Sequence, residues 1–382
     1  MTEIPRPLRP PERLLCGPGP SNVSPTVLEA IRRPMLGHLD PDFHDVLTDV
    51  VRMLRLTYQT ARGTVLALPA TGTSGMEAGL ANLLEPGDVA IIGTSGFFGR
   101  RMADAARRHG AEVVEVQADW GEHVPTSRLL SALEAHPDAR LIGVVHAETS
   151  SGVENPVAEL GAALAGRDVL LLVDCVTSLG GVPLDFDGWG MDYAFSCTQK
   201  CLGAPPGMSP IAMSERAMER VRGRRTPVPF SLDLIELERY WITRPAVYHH
   251  TAPVLHIYAL HEALRQLLIE GLTSRWRRHA EAGSFLQEEI RARGFELLAD
   301  PEFQLAPLTA VRLPAELDGR VVQTRLLREH GIEIGGGLGP AAPPMWRIGL
   351  MGANAHVKTA QTVLSALDLV LVDEPAAQAA WA

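Results

Sequence analysis

Val169-Leu170-Leu171-Leu172-Val173-Asp174-Cys175-Val176-Thr177-Ser178 is an apolar run that stops on a carboxylate. An unbroken apolar run fits a strand covered on both faces, and such strands belong to largely parallel sheets flanked by helices. Short apolar runs recur at 64–69, 89–93, 112–116, 141–145, 193–195 and 211–213, several of them nearly continuous. Helix-length segments separate these runs, at 75–84, 99–109, 126–135 and 157–164. The pattern predicts an α/β domain built on a mostly parallel, seven-stranded sheet between helices. Its C-terminal strand ends are where α/β enzymes place their chemistry.

The flanks complete the expected organisation. Residues 1–13 are rich in Pro and charge and read as a disordered or surface-bound arm. Leu14 to Asn22 form a Gly/Pro-rich loop, so 1–22 is set apart from a large domain at 23–255. Ser24-Pro25 opens a first helix, and Leu47, Val50, Val51, Leu54 and Leu56 mark a second. Downstream, Ile257, Leu260, Leu264, Leu267 and Leu268 fall on one helical face, and another helix is expected at 275–293. A strand at 308–313, a helix at 319–330, a strand at 346–350 and a helix at 357–371 predict a smaller C-terminal α/β domain at 256–372. The segment 373–382 reads as a loose tail.

Composition narrows the function. A net charge of −10 with no basic run disfavours nucleic acid. No apolar run reaches membrane-spanning length, and the N-terminal residues do not read as a secretory signal. Four cysteines, Cys16, Cys175, Cys197 and Cys201, show no C-x-x-C spacing. Reduced thiols and a cytoplasmic location are the expectation. No metal site is expected: His249 and His250 are adjacent, and on an extended chain they face opposite ways.

Four constellations could carry chemistry. Thr71-Gly72-Thr73-Ser74-Gly75 follows a predicted strand and precedes a helix, a place where backbone N–H groups cradle an anion such as phosphate. Asp174 ends its strand over the sheet edge, where it could hold a pyridinium nitrogen protonated, cap a helix or pair with an Arg. Gln199-Lys200 follows the run at 193–195. The chain writes nearly every cation as Arg and keeps only two lysines, Lys200 and Lys358. An amine, unlike a guanidinium, can lose its proton on burial and attack a carbonyl. Arg347, inside an apolar strand, needs either an acidic neighbour or a substrate carboxylate. A Lys for a Schiff base, an Asp for a ring nitrogen and a phosphate cradle are together what pyridoxal phosphate requires.

With these residues in place, the chain resembles the class V, fold type I pyridoxal phosphate-dependent aminotransferases of the alanine–glyoxylate and serine–glyoxylate (serine–pyruvate) group. The likeness is carried by Gly17-Pro18-Gly19-Pro20-Ser21-Asn22, Leu84-Glu85-Pro86-Gly87-Asp88, His146 to Val153, Val173-Asp174 with Ser178-Leu179-Gly180-Gly181, Gln199-Lys200, Tyr248 to Pro253, Gly336 to Pro340 and Arg347-Ile348-Gly349. It implies that Lys200 carries the cofactor and moves the α-proton, and that Asp174 pairs with the ring nitrogen. It implies a phosphate site of Gly72, Thr73 and Gln199, joined by Tyr248 and Thr251 from the partner subunit of a homodimer. Thr149 would lie near the cofactor's 3-oxygen, Val176 beneath the ring, and Arg347 on the substrate carboxylate near the backbone of Gly19.

Three positions separate this chain from its relatives. The stacking aromatic, Trp in the animal enzymes, falls on Phe98. Their Gly-His pair at the phosphate loop is Gly72-Thr73. The related ureidoglycine–glyoxylate aminotransferases carry Gln where this chain has His38, which leans toward alanine or serine as donor and a small 2-oxo acid such as glyoxylate as acceptor. The alternatives are ureidoglycine as donor, or recruitment to a biosynthetic pathway with an unusual amino donor. Cysteine desulfuration needs a mobile Cys in the C-terminal half, and none follows Cys201.

Overall fold

The computed structural model describes residues 4–372; the expected tail lies outside the described residues. The central sheet has seven strands: β1 (Thr64–Leu68), β2 (Val89–Thr94), β3 (Glu112–Gln117), β4 (Leu141–Val145), β5 (Leu170–Asp174), β6 (Tyr193–Phe195) and β7 (Ser209–Met213). Their order across the sheet is β1-β7-β6-β5-β4-β2-β3. Only β7 runs against its neighbours, β1 and β6; the remaining pairs are parallel. Every residue of β2, β4, β5, β6 and β7 is buried, which is why these segments are continuously apolar rather than alternating. At one edge, β3 exposes Glu112 and Gln117, polar groups that discourage pairing with another chain.

Helices cover the sheet, and their starts follow from local chemistry. α1 (Pro25–Ile31) and α2 (Pro41–Tyr58) open on Pro after Ser24 and Asp40, whose side chains accept from Val27 N and Asp42 N. α3 (Gly72–Leu83), α4 (Phe97–Arg108), α5 (Thr126–Ala135) and α6 (Val157–Ala163) alternate with the strands. Two further helices, α7 (Glu215–Arg222) and α8 (Leu234–Trp241), were not expected from the sequence. α7 buries only Ala217, Met218 and Val221, too narrow an apolar stripe to stand out among its charges.

α9 (Val254–Glu270) and α10 (Leu272–Ala292) lead into a smaller unit of β8 (Leu308–Arg312), α11 (Gly319–Glu329), β9 (Gly335–Gly336), β10 (Met345–Gly349) and α12 (Val357–Leu371). β10 lies between β8 and β9, antiparallel to both. Ile257, Leu260, Leu264 and Leu267 of α9 pack into the large core with the sheet, whereas Ala282, Leu286 and Ile290 of α10 pack with Trp346, Leu364 and Leu367 in a second core. We therefore propose that the two domains divide at Gly271 rather than at residue 255. The sequence alone showed an amphipathic helix at 257–268 but not which core its apolar face joins. Leu14–Leu15 pairs in parallel with Ile332–Glu333, tying the N-terminal segment to the smaller unit.

Candidate active site

Because β1, β2, β4, β5 and β6 run parallel, their C-terminal ends share one edge. Asp174 is the last residue of β5, in register with Val145 of β4 and Phe195 of β6. The connections leaving this edge bring Gly72, Thr73, Phe98, Thr149, Val176, Gln199 and Lys200 together with Asp174 around a cavity of about 180 Å³.

The anion cradle is the first turn of α3, three residues earlier than the sequence pattern placed the helix. Thr71 Oγ1 accepts from Ser74 N at 3.3 Å and starts the helix there. The N–H groups of Gly72 and Thr73 find no partner among the described residues, as expected of a helix start. A Cβ on Gly72 would lie 2.9 Å from Val176 Cγ2, so the close approach requires glycine.

Lys200 sits in the turn after β6 and is 8% exposed. Burial pushes its amine below the ordinary lysine range, which favours the neutral, nucleophilic form. Its backbone is held by the N-terminal loop: Ser21 N donates to Gln199 O at 2.8 Å and Ser21 Oγ to Lys200 O at 3.1 Å. The amine donates to Pro18 O of the same loop. Gly19, at φ +111°, passes so close that a Cβ there would lie 2.6 Å from Lys200 Cδ. Gly19→Ala is expected to displace the lysine and cut turnover at least about 10-fold. Steady-state kinetics of the cofactor-loaded variant checks this; wild-type turnover would show that the loop can move aside.

Asp174 accepts from Val176 N at 2.8 Å and has no ion pair among the described residues. Burial raises its carboxyl to about 7, with the Val176 N–H pulling the other way. A buried carboxylate without a cation is an acceptor waiting for one. Arg347 is its counterpart of opposite sign. It is buried in β10, donates to Gly336 O at 2.6 Å and Thr149 O at 3.1 Å, and has no ion pair among the described residues. Burial lowers it to about 10. Of the two partners the sequence left open for Arg347, an acidic side chain forms no ion pair with it among the described residues, although Glu148 acts on it from a distance and raises its pKa.

Two residues at the site gave no separate signal. Glu148, fully buried, accepts from Ser150 Oγ at 2.5 Å and from Ser150 N, Phe98 N and Gly99 N at 3.1 Å each. It fixes the start of α4 and with it Phe98; burial raises its pKa against those donors. Arg101 also lines the cavity, lying 5.2 Å from the Phe98 ring centre and donating to Thr73 Oγ1 at 3.3 Å. Its position three residues after Phe98 on a helix puts both on one face, the signal that could have found it.

Gly19 and Arg347 do not line the cavity but adjoin it through Lys200 and Thr149, whereas Tyr248, Thr251 and His38 lie away from it in this chain. Tyr248 is 57% exposed, and Thr251 is also exposed in the same loop. His38 packs 5.6 Å from the Tyr248 ring and its backbone carbonyl accepts from Tyr240. None of the three lines the cavity of its own chain. The cysteines are all buried and unpaired; burial pushes Cys16, Cys197 and Cys201 up to about 12, which favours the neutral thiol, and Cys197 lines the cavity. No cluster of His, Cys, Asp and Glu suited to a metal occurs among the described residues. No helix among them is long and apolar enough to cross a membrane.

One sheet edge thus gathers an amine of lowered pKa, a buried carboxyl group, a helix start with free N–H groups and, one contact away through Thr149 O, a buried guanidinium, a set able to bind anionic groups and to form a Schiff base. Residues 59–359 match the aminotransferase class-V family. The chain is 38% identical to an alanine–glyoxylate aminotransferase of Drosophila melanogaster over 95% of this chain and 93% of the relative. Among solved structures, an alanine–glyoxylate aminotransferase of a Nostoc species superposes with TM-score 0.94 at 45% identity, covering 97% of this chain and 98% of that one. A ureidoglycine–glyoxylate aminotransferase of Bacillus subtilis gives 0.93 at 35% identity, covering 98% of each. The chain belongs to the class V aminotransferase family. It is a transaminase of fold type I, and its cofactor is pyridoxal 5′-phosphate.

Proposed function

We propose that this transaminase moves the amino group of alanine or serine to a small 2-oxo acid such as glyoxylate, in two alternating half-reactions. The observation that carries the reading is Arg347: a buried guanidinium with no ion pair among the described residues, joined through Thr149 O to the cavity that contains Lys200 and Asp174. Its planar fork suits the carboxylate common to amino and oxo acids.

The residues divide the work as follows. The N–H groups of Gly72 and Thr73, with Gln199 and Arg101, would hold the phosphate. Phe98 and Val176 would take the two faces of the ring, and Thr149 would stand near its 3-oxygen. The bound cofactor supplies an electron sink for the pair left when the α-C–H bond breaks. Asp174 would hold a proton on the ring nitrogen and so make the sink effective. Lys200 Nζ would anchor the cofactor and, once displaced by the amino donor, would accept the α-proton and donate it to a different carbon, a role its lowered pKa suits. Arg347, with the Gly19 backbone, orients the substrate carboxylate.

Tyr248, Thr251 and His38 fit this scheme as groups presented across a homodimer interface. The exposure of Tyr248, Met35, Leu39 and Phe230 supports such a surface. Buried free thiols and the lack of a basic surface run support a cytoplasmic protein that does not bind nucleic acid.

Arg347→Ala should raise KM for every amino acid donor by about 100-fold, the loss of a charge-assisted bidentate contact. An unchanged KM across a donor panel would remove Arg347 from the site. The same panel separates the donor classes: alanine and serine should be the best donors, and a clear preference for ureidoglycine would reassign the substrate.

A further inference from the structure

Behind the cavity, one buried guanidinium holds the turns that follow both Lys200 and Asp174. Arg275, in the first turn of α10, donates to Cys201 O at 2.6 Å, Gly180 O at 3.2 Å and Glu270 Oε2 at 2.9 Å. Cys201 is the residue after Lys200. Gly180 lies in the turn that continues from Asp174, at φ +77°. The two turns are packed hard together, since a Cβ on Gly181 would lie 2.5 Å from Cys201 Sγ.

The cluster continues to the third functional side chain. Arg278 donates to Glu270 Oε1 at 2.6 Å and Oε2 at 3.0 Å, and to Gly352 O at 3.0 Å and Ala355 O at 2.8 Å. His279 accepts from Gly352 N at 3.1 Å through Nε2, and its Nδ1 lies 2.9 Å from Arg275 O. Burial makes it a neutral ring, pushed down to about 3. Residues 350–355 run on directly from β10, which carries Arg347. Glu270 thus ties two arginines whose other donors grip the backbone behind Lys200, Asp174 and Arg347.

We propose that Arg275 is a positioning residue for transamination, setting Lys200 against Asp174, and that Arg278 does the same for the segment behind Arg347. The proposal rests on the roles given above to Lys200, Asp174 and Arg347. Only a guanidinium offers donors in three fixed directions, and Glu270 supplies the charge that lets it be buried. A buried ion pair is a poor way to gain stability compared with apolar packing, so its placement at these turns argues for geometry.

The test uses cofactor-loaded enzyme and two variants. Arg275→Gln removes the charge; Arg275→Lys keeps the charge facing Glu270, and with it the fold, but cannot reach both carbonyls. Both are expected to trap cofactor on Lys200 with borohydride, yet to show kcat about 10- to 100-fold lower, the scale for a misplaced reacting group. The donor KM should change less than about twofold, because Arg347 is untouched. The visible circular dichroism band of the bound cofactor should change in amplitude, which a merely structural role would not produce. Arg278→Gln should instead raise the donor KM. Arg275→Lys with wild-type kcat and an unchanged band would overturn the proposal, whether or not Arg275→Gln folds. Failure of the underlying reading would look different: Lys200→Ala would keep its turnover.

Discussion

Lys200→Ala will lose turnover on the order of 10⁴-fold or more, the upper range for removing a positioned acid–base group, with loss of the covalent anchor added. The prediction follows from geometry. Lys200 is the lysine that lines the cavity, and the chain's other lysine, Lys358, lies exposed at the start of α12. With two lysines in the chain, reductive trapping has an unambiguous reading. Borohydride should add the cofactor's mass to the peptide containing Lys200 in the wild type and to no peptide in the variant. Trapping on Lys358, or an active Lys200→Ala enzyme, would sink the assignment.

Asp174→Asn should lower kcat by about 10²- to 10⁴-fold while leaving the fold intact. The amide keeps an oxygen for the Val176 N–H but cannot stabilise a cationic ring nitrogen. A second effect runs in the opposite direction. In the ligand-free protein the Asp174 carboxyl stands at about 7, above its ordinary 3.8. Its contribution to stability is therefore present in full below the unfolded value and is lost as the pH rises through about 7. Holding an unpaired carboxylate above that pH costs up to about 4 kcal/mol. Ligand-free Asp174→Asn should then melt above ligand-free wild type at pH 8, with the gap narrowing as the pH falls toward 4. Calorimetry across that range checks it; a wild type that melts higher at pH 8 would mean that Asp174 already has a cation.

The sheet was legible because burial on both faces forces an unbroken apolar run, and β5 and β6 carried Asp174 and Lys200 to one edge by strand length alone. The start of α3 was misplaced because Thr71 caps it through a side-chain contact that apolar spacing does not register. Glu148 and Arg101 were not singled out because their roles arise from long-range contacts, to the α4 N-terminus and to Thr73. The division at Gly271 that we propose could not be read from the sequence for a similar reason: periodicity shows an apolar face, not the core that receives it. Tyr248, Thr251 and His38 were named through the family resemblance, and the single chain does not bring them to the cavity. Arg275 and Arg278 read in the sequence as ordinary helix charges; only the fold places Cys201 O, Gly180 O and Gly352 O around them.

The most direct measurement is a single half-reaction. Cofactor-loaded enzyme, mixed with L-alanine and no acceptor, should lose its visible cofactor band and form one equivalent of pyruvate per site. Later addition of glyoxylate should restore the band and yield one equivalent of glycine. A band that bleaches without pyruvate, or pyruvate that forms beyond one equivalent before any acceptor is added, would contradict transamination through this site.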